Sequence, residues 1–241
     1  MLYTSINNPK IKKLNLLKQK KYRDKENIFL VEGDHLVKEA YNNGYLKELL
    51  VPEGSEYKLE VETNEINETV IKYLTSLKTP TGIFGICEKK KMTLKEGKIL
   101  VLDNVQDPGN VGTIIRSSVA FNIDTIVVNE SCADIYSDKV IRASQGMIFS
   151  ANIIKEDLNS FIPQIKKTHK VFATKVDNGK ELKNIEKLKN FVIIMGSEGK
   201  GVSPSLLNLA DEYLYIPMNE KCESLNVAVA TSIILYYLGG D

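Results

Sequence analysis

Asn110 and Arg116 stand six residues apart in the stretch DPGNVGTIIRSS (107–118), directly after the apolar run KILVLDNV (98–105). The stretch reads as a strand-to-helix turn. Gly109 frees the turn, and Asn110 is a suitable N-cap for VGTIIRSSVAFN. On an ideal helix Arg116 lies about one and two-thirds turns beyond Asn110. Its neighbours Ile114, Ile115, Val119, Ala120 and Phe121 are apolar, so the guanidinium must snorkel to water or meet an anion. Taken alone, the stretch is better read as a structural arginine paired with a carboxylate. It matches neither GxGxxG nor a Walker loop.

Two further stretches offer ligand chemistry. FVIIMGSEGKGVS (191–203) runs a buried strand into Gly196, Gly199 and Gly201. Such a turn lets backbone approach a ligand closely, at the strand end where open α/β sheets bind theirs. Lys200 precedes the last glycine, where a Walker lysine would follow one. Glu198 disfavours a polyphosphate by like-charge repulsion and suits a cationic or hydroxyl-rich ligand. LYIPMNEKCESLNVAVATSIILYYL (214–238) ends a strand at Ile216-Pro217-Met218 and starts an apolar helix near Ser224-Leu225-Asn226. Ser224 or Asn226 can cap that helix, leaving the other for a ligand. The helix is apolar almost all round, which fits a buried or interface position. A plain capped core helix accounts for this third stretch equally well.

These residues need a scaffold, and the rest of the second part supplies one. Continuous apolar runs at 98–105, 125–129, 151–155, 170–174, 191–195 and 212–217 alternate with helical stretches at 110–121, 138–148, 157–167 and 203–209, before the final helix at 224–238. Continuous rather than alternating apolar runs predict a parallel sheet covered on both faces, in an α/β domain. The first part reads as a smaller α/β unit. It has a helix after Pro9, a strand at 28–33, a helix at 34–44, a strand at 47–52, an Asn-capped helix at 64–77 and a strand at 82–88. The charged stretch KKKMTLKEGK (89–98) marks the boundary, giving domains 1–92 and 93–241.

Composition narrows the class. A chain of 241 residues, 43% hydrophobic and 26% charged, is an ordinary globular composition that can bury a core without staples. The net charge of +1 gives no global nucleic-acid signature, but residues 9–25 hold eight Lys or Arg against one Asp. That segment is either a basic arm or a solvated helix face. Cys87, Cys132 and Cys222 are far apart with no CxxC, so neither a disulfide framework nor a zinc site follows. With no apolar signal core and no run of membrane-spanning length, the cytoplasm is the expected compartment. His35 and His169 lie outside the three stretches and read as surface or structural residues.

Order and spacing together say more than any one stretch. NVQDPGNVGTIIR, IIMGSEGKGVS and IPMNEKCESLNVAVA resemble, in sequence order, the three motifs of the SpoU (TrmH-like) RNA ribose 2′-O-methyltransferases of the knotted SPOUT superfamily. The resemblance covers roughly residues 98–241. More loosely, NPKIKKL, FLVEG and TPTGIFGI resemble that family's substrate-binding domain, which is itself similar to RNA-binding ribosomal proteins.

The resemblance implies a parallel-sheet domain with a deep trefoil knot, and S-adenosylmethionine as cofactor. Gly196, Ile216 and Leu225 would contact the cofactor, with Thr174, Gly201, Met218 and Ala228 beside it. The family's functional residues fall on Asn110, Arg116, Glu198, Ser224 and Asn226. Arg116 would grip the RNA phosphate and steady the developing alkoxide. It is a poor general base, because a guanidinium stays protonated to about pH 12. Asn110 would orient Arg116 or the ribose, Ser224 and Asn226 would shape the site, and Glu198 would hold the loop or a ribose hydroxyl. Lys10, Lys12, Lys13, Lys20, Lys21 and Arg23 would steer RNA, with rRNA favoured over tRNA. A homodimer without metal is expected. Two other readings compete: a catalytically silent RNA-binding module, and a Rossmann-type oxidoreductase, which lacks its GxGxxG here.

Overall fold

The computed structural model describes residues 1–176 and 179–239. The chain forms two compact units. One holds Met1–Lys90 and Asp134–Ser150, and the other Lys91–Ala133 and Ala151–Asp241.

In the first unit, β1 (Leu2–Tyr3) leads to α1 (Pro9–Leu16), α2 (Lys20–Glu26), β2 (Ile28–Glu32), α3 (Asp34–Asn42), β3 (Leu46–Pro52), β4 (Glu62–Ile66), α4 (Glu68–Leu74) and β5 (Phe84–Glu88). The mixed sheet runs β1-β4-β3-β5-β2. Its core includes Ile11, Leu14, Leu17, Leu50, Ile66, Val70, Leu74 and Phe84. The expected helix over 64–77 is shorter, because residues 62–66 form β4 in parallel register with β3. The reason is local. Asn67, not Asn64, caps α4 by accepting from the Val70 amide at 3.0 Å. Asn64 is buried and donates to Glu48 and Glu62, both at 2.9 Å.

Residues 134–150, expected in the second domain, pack with the first unit. Aromatic contacts hold them there: the Phe29 ring lies 4.7 Å from Tyr136 and 6.2 Å from Phe149. The expected helix at 138–148 stops early. The helix that forms there is α6 (Asp138–Ala143), the sixth in chain order. A short 3-10 turn follows at Met147–Phe149. Between them Gln145 and Gly146 take positive φ angles of 52° and 79°, which end a right-handed helix.

In the second unit, β6 (Lys98–Leu102), α5 (Pro108–Ala120), β7 (Thr125–Val128), β8 (Ile153–Lys155), α7 (Leu158–Ile165), β9 (Lys170–Thr174), β10 (Lys180–Glu181), β11 (Phe191–Met195), α8 (Pro204–Leu207), β12 (Glu212–Tyr215) and α9 (Val227–Gly239) follow in order. The seven strands run β10-β12-β9-β11-β6-β7-β8, each paired in parallel with its neighbours. Every residue of β11 is buried, as a sheet covered on both faces requires. The chain leaves β6 toward β7 on one side and leaves β11 toward β12 on the other. The adjacent ends of β6 and β11 are therefore a topological switch point, where open α/β sheets bind ligands. Met195 pairs with Leu102, which brings those two ends level.

Candidate active site

Three loops meet at the carboxyl ends of β6, β11 and β12. The first begins α5, and its cap differs from the sequence reading. Asp107, not Asn110, caps the helix, accepting from the Asn110 amide at 2.8 Å, with Pro108 in the first turn. Proline suits that position because its fixed φ is helical and it has no N–H to leave orphaned. The helix thus starts earlier, and the Asn110 side chain is released from capping.

That side chain joins two others. The Asn110 amide donates to Glu198 in the glycine loop. Asn226, at the start of α9, donates from Nδ2 to Asn110 Oδ1 at 2.9 Å. Asn226 Oδ1 also accepts from the Ala228 and Val229 amides at 2.9 and 3.2 Å. Asn226 therefore caps α9 and contacts the site at once, a double use that the sequence reading divided between Ser224 and Asn226. The chain of bonds has one polarity. Backbone amides fix the Asn226 oxygen, so its NH2 faces Asn110. The Asn110 NH2 then faces Glu198, an acceptor-only carboxylate.

The glycine loop is closed by geometry that only glycine permits. Ser197 and Gly201 exchange backbone hydrogen bonds of 3.1 and 2.9 Å. A Cβ at Gly196 would lie 1.9 Å from the Gly201 carbonyl carbon. Gly201 has φ +66°, whereas Gly199 at the loop tip meets nothing within 4 Å.

Asp103 anchors the far end of this loop. The residue is only 2% exposed. It accepts from the Ser203 amide at 2.7 Å, from Asn104 Nδ2 at 2.7 Å and, more weakly, from Asn129 Nδ2 at 3.4 Å. A buried carboxylate is tolerable when N–H donors replace its hydration. Asp103 was not among the expected site residues. In sequence it looks like a charge that ends an apolar strand, and two of its three donors are remote.

Behind the loops lies a cavity of about 640 Å3. Of the residues expected to hold a cofactor, Thr174, Gly196, Gly201, Ile216, Met218 and Leu225 line it, as do Glu198 and Ser224. Ala228 does not. It sits inside α9 and is buried, while Val227 and Ala230 reach the cavity instead. The volume suits a ligand of drug or cofactor size, which is the ordinary range for such pockets. The close Gly196 approach supplies a backbone cradle, and Glu198 and Glu223 put carboxylates in the wall. A cationic, hydroxyl-bearing ligand fits that donor set.

Arg116 is exposed on α5, with no hydrogen bond or ion pair among the described residues. The structural pairing with a carboxylate does not occur. Ser224 is exposed. His169 is buried, with Nε2 accepting from the Gly97 amide at 3.2 Å, and His35 is exposed beside the Gln145 carbonyl. Among the described residues no group of three or more His, Cys, Asp or Glu could hold a metal ion. No helix among them is long and apolar enough to cross a membrane.

The basic segment of the first unit is largely engaged. Lys10 pairs with Glu48 at 2.6 Å and Lys13 with Glu26 at 2.5 Å, and the Lys21 ammonium lies over the Tyr22 ring. Lys12 and Lys20 are exposed. Arg23, expected on an RNA-facing surface, is instead buried. It donates to the Leu17 carbonyl at 2.6 Å and pairs with Asp134.

Comparison with known proteins matches two regions of the chain. Residues 97–236 match the family model described as the SpoU rRNA Methylase family, and residues 8–85 match the MRM3-like substrate binding domain. The chain is 38% identical over 245 residues to the 23S rRNA (guanosine(2553)-2'-O)-methyltransferase RlmP of Bacillus subtilis (strain 168), covering 98% of each. It resembles the crystal structure of an AdoMet-bound rRNA methyltransferase from Sinorhizobium meliloti with TM-score 0.87 and 31% identity, over 99% of this chain and 97% of that one. It also resembles a crystal structure of an RNA 2'-O ribose methyltransferase with TM-score 0.84 and 29% identity, over 99% of this chain and 98% of that one.

Proposed function

The chain belongs to the SpoU rRNA methylase family, and from that premise we infer that it methylates a ribose 2′-hydroxyl of structured RNA, rRNA rather than tRNA. The observation that carries this reading is the Glu198–Asn110–Asn226 chain, which joins the glycine loop, the first turn of α5 and the start of α9 beside the cofactor-sized cavity.

S-adenosylmethionine, when bound, supplies an electrophilic methyl group on a sulfonium. Gly196, Ile216 and Leu225, with Thr174, Gly201 and Met218, would hold it. Glu198 and Glu223 in the same wall favour its positive charge by Coulomb attraction.

For the ribose oxygen to take that methyl group, its hydroxyl must lose its proton. Arg116, exposed and unpaired in the described structure, grips the phosphate beside the target ribose and holds that oxygen in line. Such positioning supplies a large share of the barrier reduction. The proton passes to that phosphate or to water, because a guanidinium cannot accept it. Asn110, its amide fixed by Glu198 and Asn226, presents a set dipole to the ribose. Glu198 thus acts through Asn110, and Ser224 shapes the cavity mouth.

The C-terminal segment is threaded as a trefoil knot in this reading, and the enzyme works as a homodimer in the cytoplasm. Support for the dimer comes from α9. Its Val229, Ile233 and Tyr236 are exposed, Tyr236 at 72%, on a helix otherwise apolar. A second copy of the chain would cover them.

Titration calorimetry with S-adenosylhomocysteine tests the cofactor assignment. Micromolar binding at one site per chain supports it. Absence of binding, both alone and with bulk rRNA present, refutes it.

A further inference from the structure

The first unit contains a cavity of its own, of about 230 Å3. We propose that this cavity receives one unpaired nucleobase of the substrate RNA, distinct from the nucleotide that is methylated. The proposal rests on the RNA reading above.

Size is the first argument. At about 30 Å3 per water in the liquid, the space equals roughly eight waters, on the order of one nucleobase and below the usual drug-sized pocket. The floor is apolar. Leu30, Leu74 and Phe84 line it, and Leu30 and Tyr136, both half-buried, keep accessible apolar surface. A flat heteroaromatic ring can bury its faces there.

The polar groups of the wall fit the edge of such a ring. Glu32 is held in place by the Thr75 hydroxyl at 2.9 and 2.8 Å and by the Thr81 amide at 3.1 Å. Its Oε2 keeps acceptor capacity. Lys18 donates to the carbonyls of Tyr73 and Thr75 at 3.0 and 3.2 Å, which leaves one of its three ammonium protons. Burial lowers the Lys18 pKa, consistent with an ammonium partly withdrawn from water. A fixed acceptor and a fixed donor therefore share one wall, and every nucleobase offers a donor beside an acceptor on its pairing edge. An aliphatic ligand would leave both groups unmatched. A phosphate at that depth would oppose Glu32. The phosphate belongs instead at the rim, where the exposed Lys139 stands.

The wall is assembled from both parts of the unit. Residues 136–142 contribute Ser137, Lys139 and Arg142, although they lie outside the 8–85 range matched by the substrate-binding domain.

Two experiments test this. The first titrates the full chain, with 13C-labelled leucine methyls, using each of the four ribonucleoside 5′-monophosphates and ribose 5-phosphate. Shifts at Leu30, Leu36 and Leu74 with at least one nucleotide, and none with ribose 5-phosphate, are expected. Shifts confined to leucines around the larger cavity would overturn the proposal. The second measures methyl transfer by Ser76→Trp, which places a bulky ring at the exposed mouth. The expected result is a KM for RNA raised about tenfold, with kcat and S-adenosylhomocysteine binding unchanged. An unchanged KM beside nucleotide-induced shifts would mark a site for free nucleotides and overturn the RNA assignment. If Ser76→Trp does not fold, the titration decides. Wild-type protein that binds S-adenosylhomocysteine but methylates no RNA would sink the functional reading instead, and the leucine shifts would still be readable.

Discussion

The two units use their polar residues in opposite ways. In the second, Asn110 in the first turn of α5, Glu198 in the glycine loop and Asn226 at the start of α9 bond to one another at the rim of a cavity. In the first, three of the eight cations of residues 9–25 are spent within the unit, on Glu48, Glu26 and Asp134. A cluster that polarises itself beside an open space is built for a ligand. A set of internally paired charges holds a fold together, and leaves only a few cations for steering.

The contrast predicts large effects in the second unit. Asn110→Ala removes the central amide of the chain. Losing one positioned donor typically costs about 10²–10³ in kcat. We expect that loss in methyl transfer, with S-adenosylhomocysteine affinity within a few fold; equal loss of both would deny the residue its role toward the ribose. Arg116→Ala removes a charge-assisted, bidentate grip worth about 1.5–3 kcal/mol. Activity should fall by one to two orders of magnitude with cofactor binding intact, and calorimetry that showed binding lost as well would exclude phosphate anchoring.

Next come the groups that hold the loop. Gly196→Ala forces a Cβ into the Gly201 backbone and should weaken S-adenosylhomocysteine binding by more than about tenfold, a cost of over ~1.4 kcal/mol. Gly199→Ala, with open space around it, should leave binding unchanged. Equal behaviour of the two would mean that loop closure does not shape the cavity. Asp103→Ala leaves the Ser203 amide and the Asn104 side chain without their acceptor. About 1–3 kcal/mol of stability should go, seen as a melting point lower by roughly 2–4 °C per kcal/mol.

The smallest effect belongs to the first unit. Lys12→Ala, at an exposed cation, should weaken RNA binding slightly and lower the salt slope by about one. Lys13→Ala, whose ammonium is already paired with Glu26, should change that slope less. The reverse ranking would show that the pair opens to RNA.

Much of the second unit was legible because its strands are continuous apolar runs, so FVIIM and KILVL announce a sheet covered on both faces. The polar strand β4, ETNEI, was hidden inside a helical pattern because its alternation buries Asn64, a residue that reads as a cap. The site residues were legible where a motif placed them at a strand end. Their bonds were not, since Asn110 meets Glu198 across 88 residues and Asn226 across 116. Asp103 and Arg23 stayed hidden for the same reason. The Ser203 amide that binds Asp103 is 100 residues away, and Asp134, which pairs with Arg23, is 111 away. Composition identifies a charge, and only the fold identifies its partner.

The most direct test is a methyl-transfer reaction with labelled S-adenosylmethionine and rRNA from cells lacking the enzyme, followed by mapping of the modified nucleotide. The account predicts label on a ribose 2′-oxygen with the wild-type chain and almost none with Asn110→Ala. Label on a base, or equal transfer by both proteins, would contradict it.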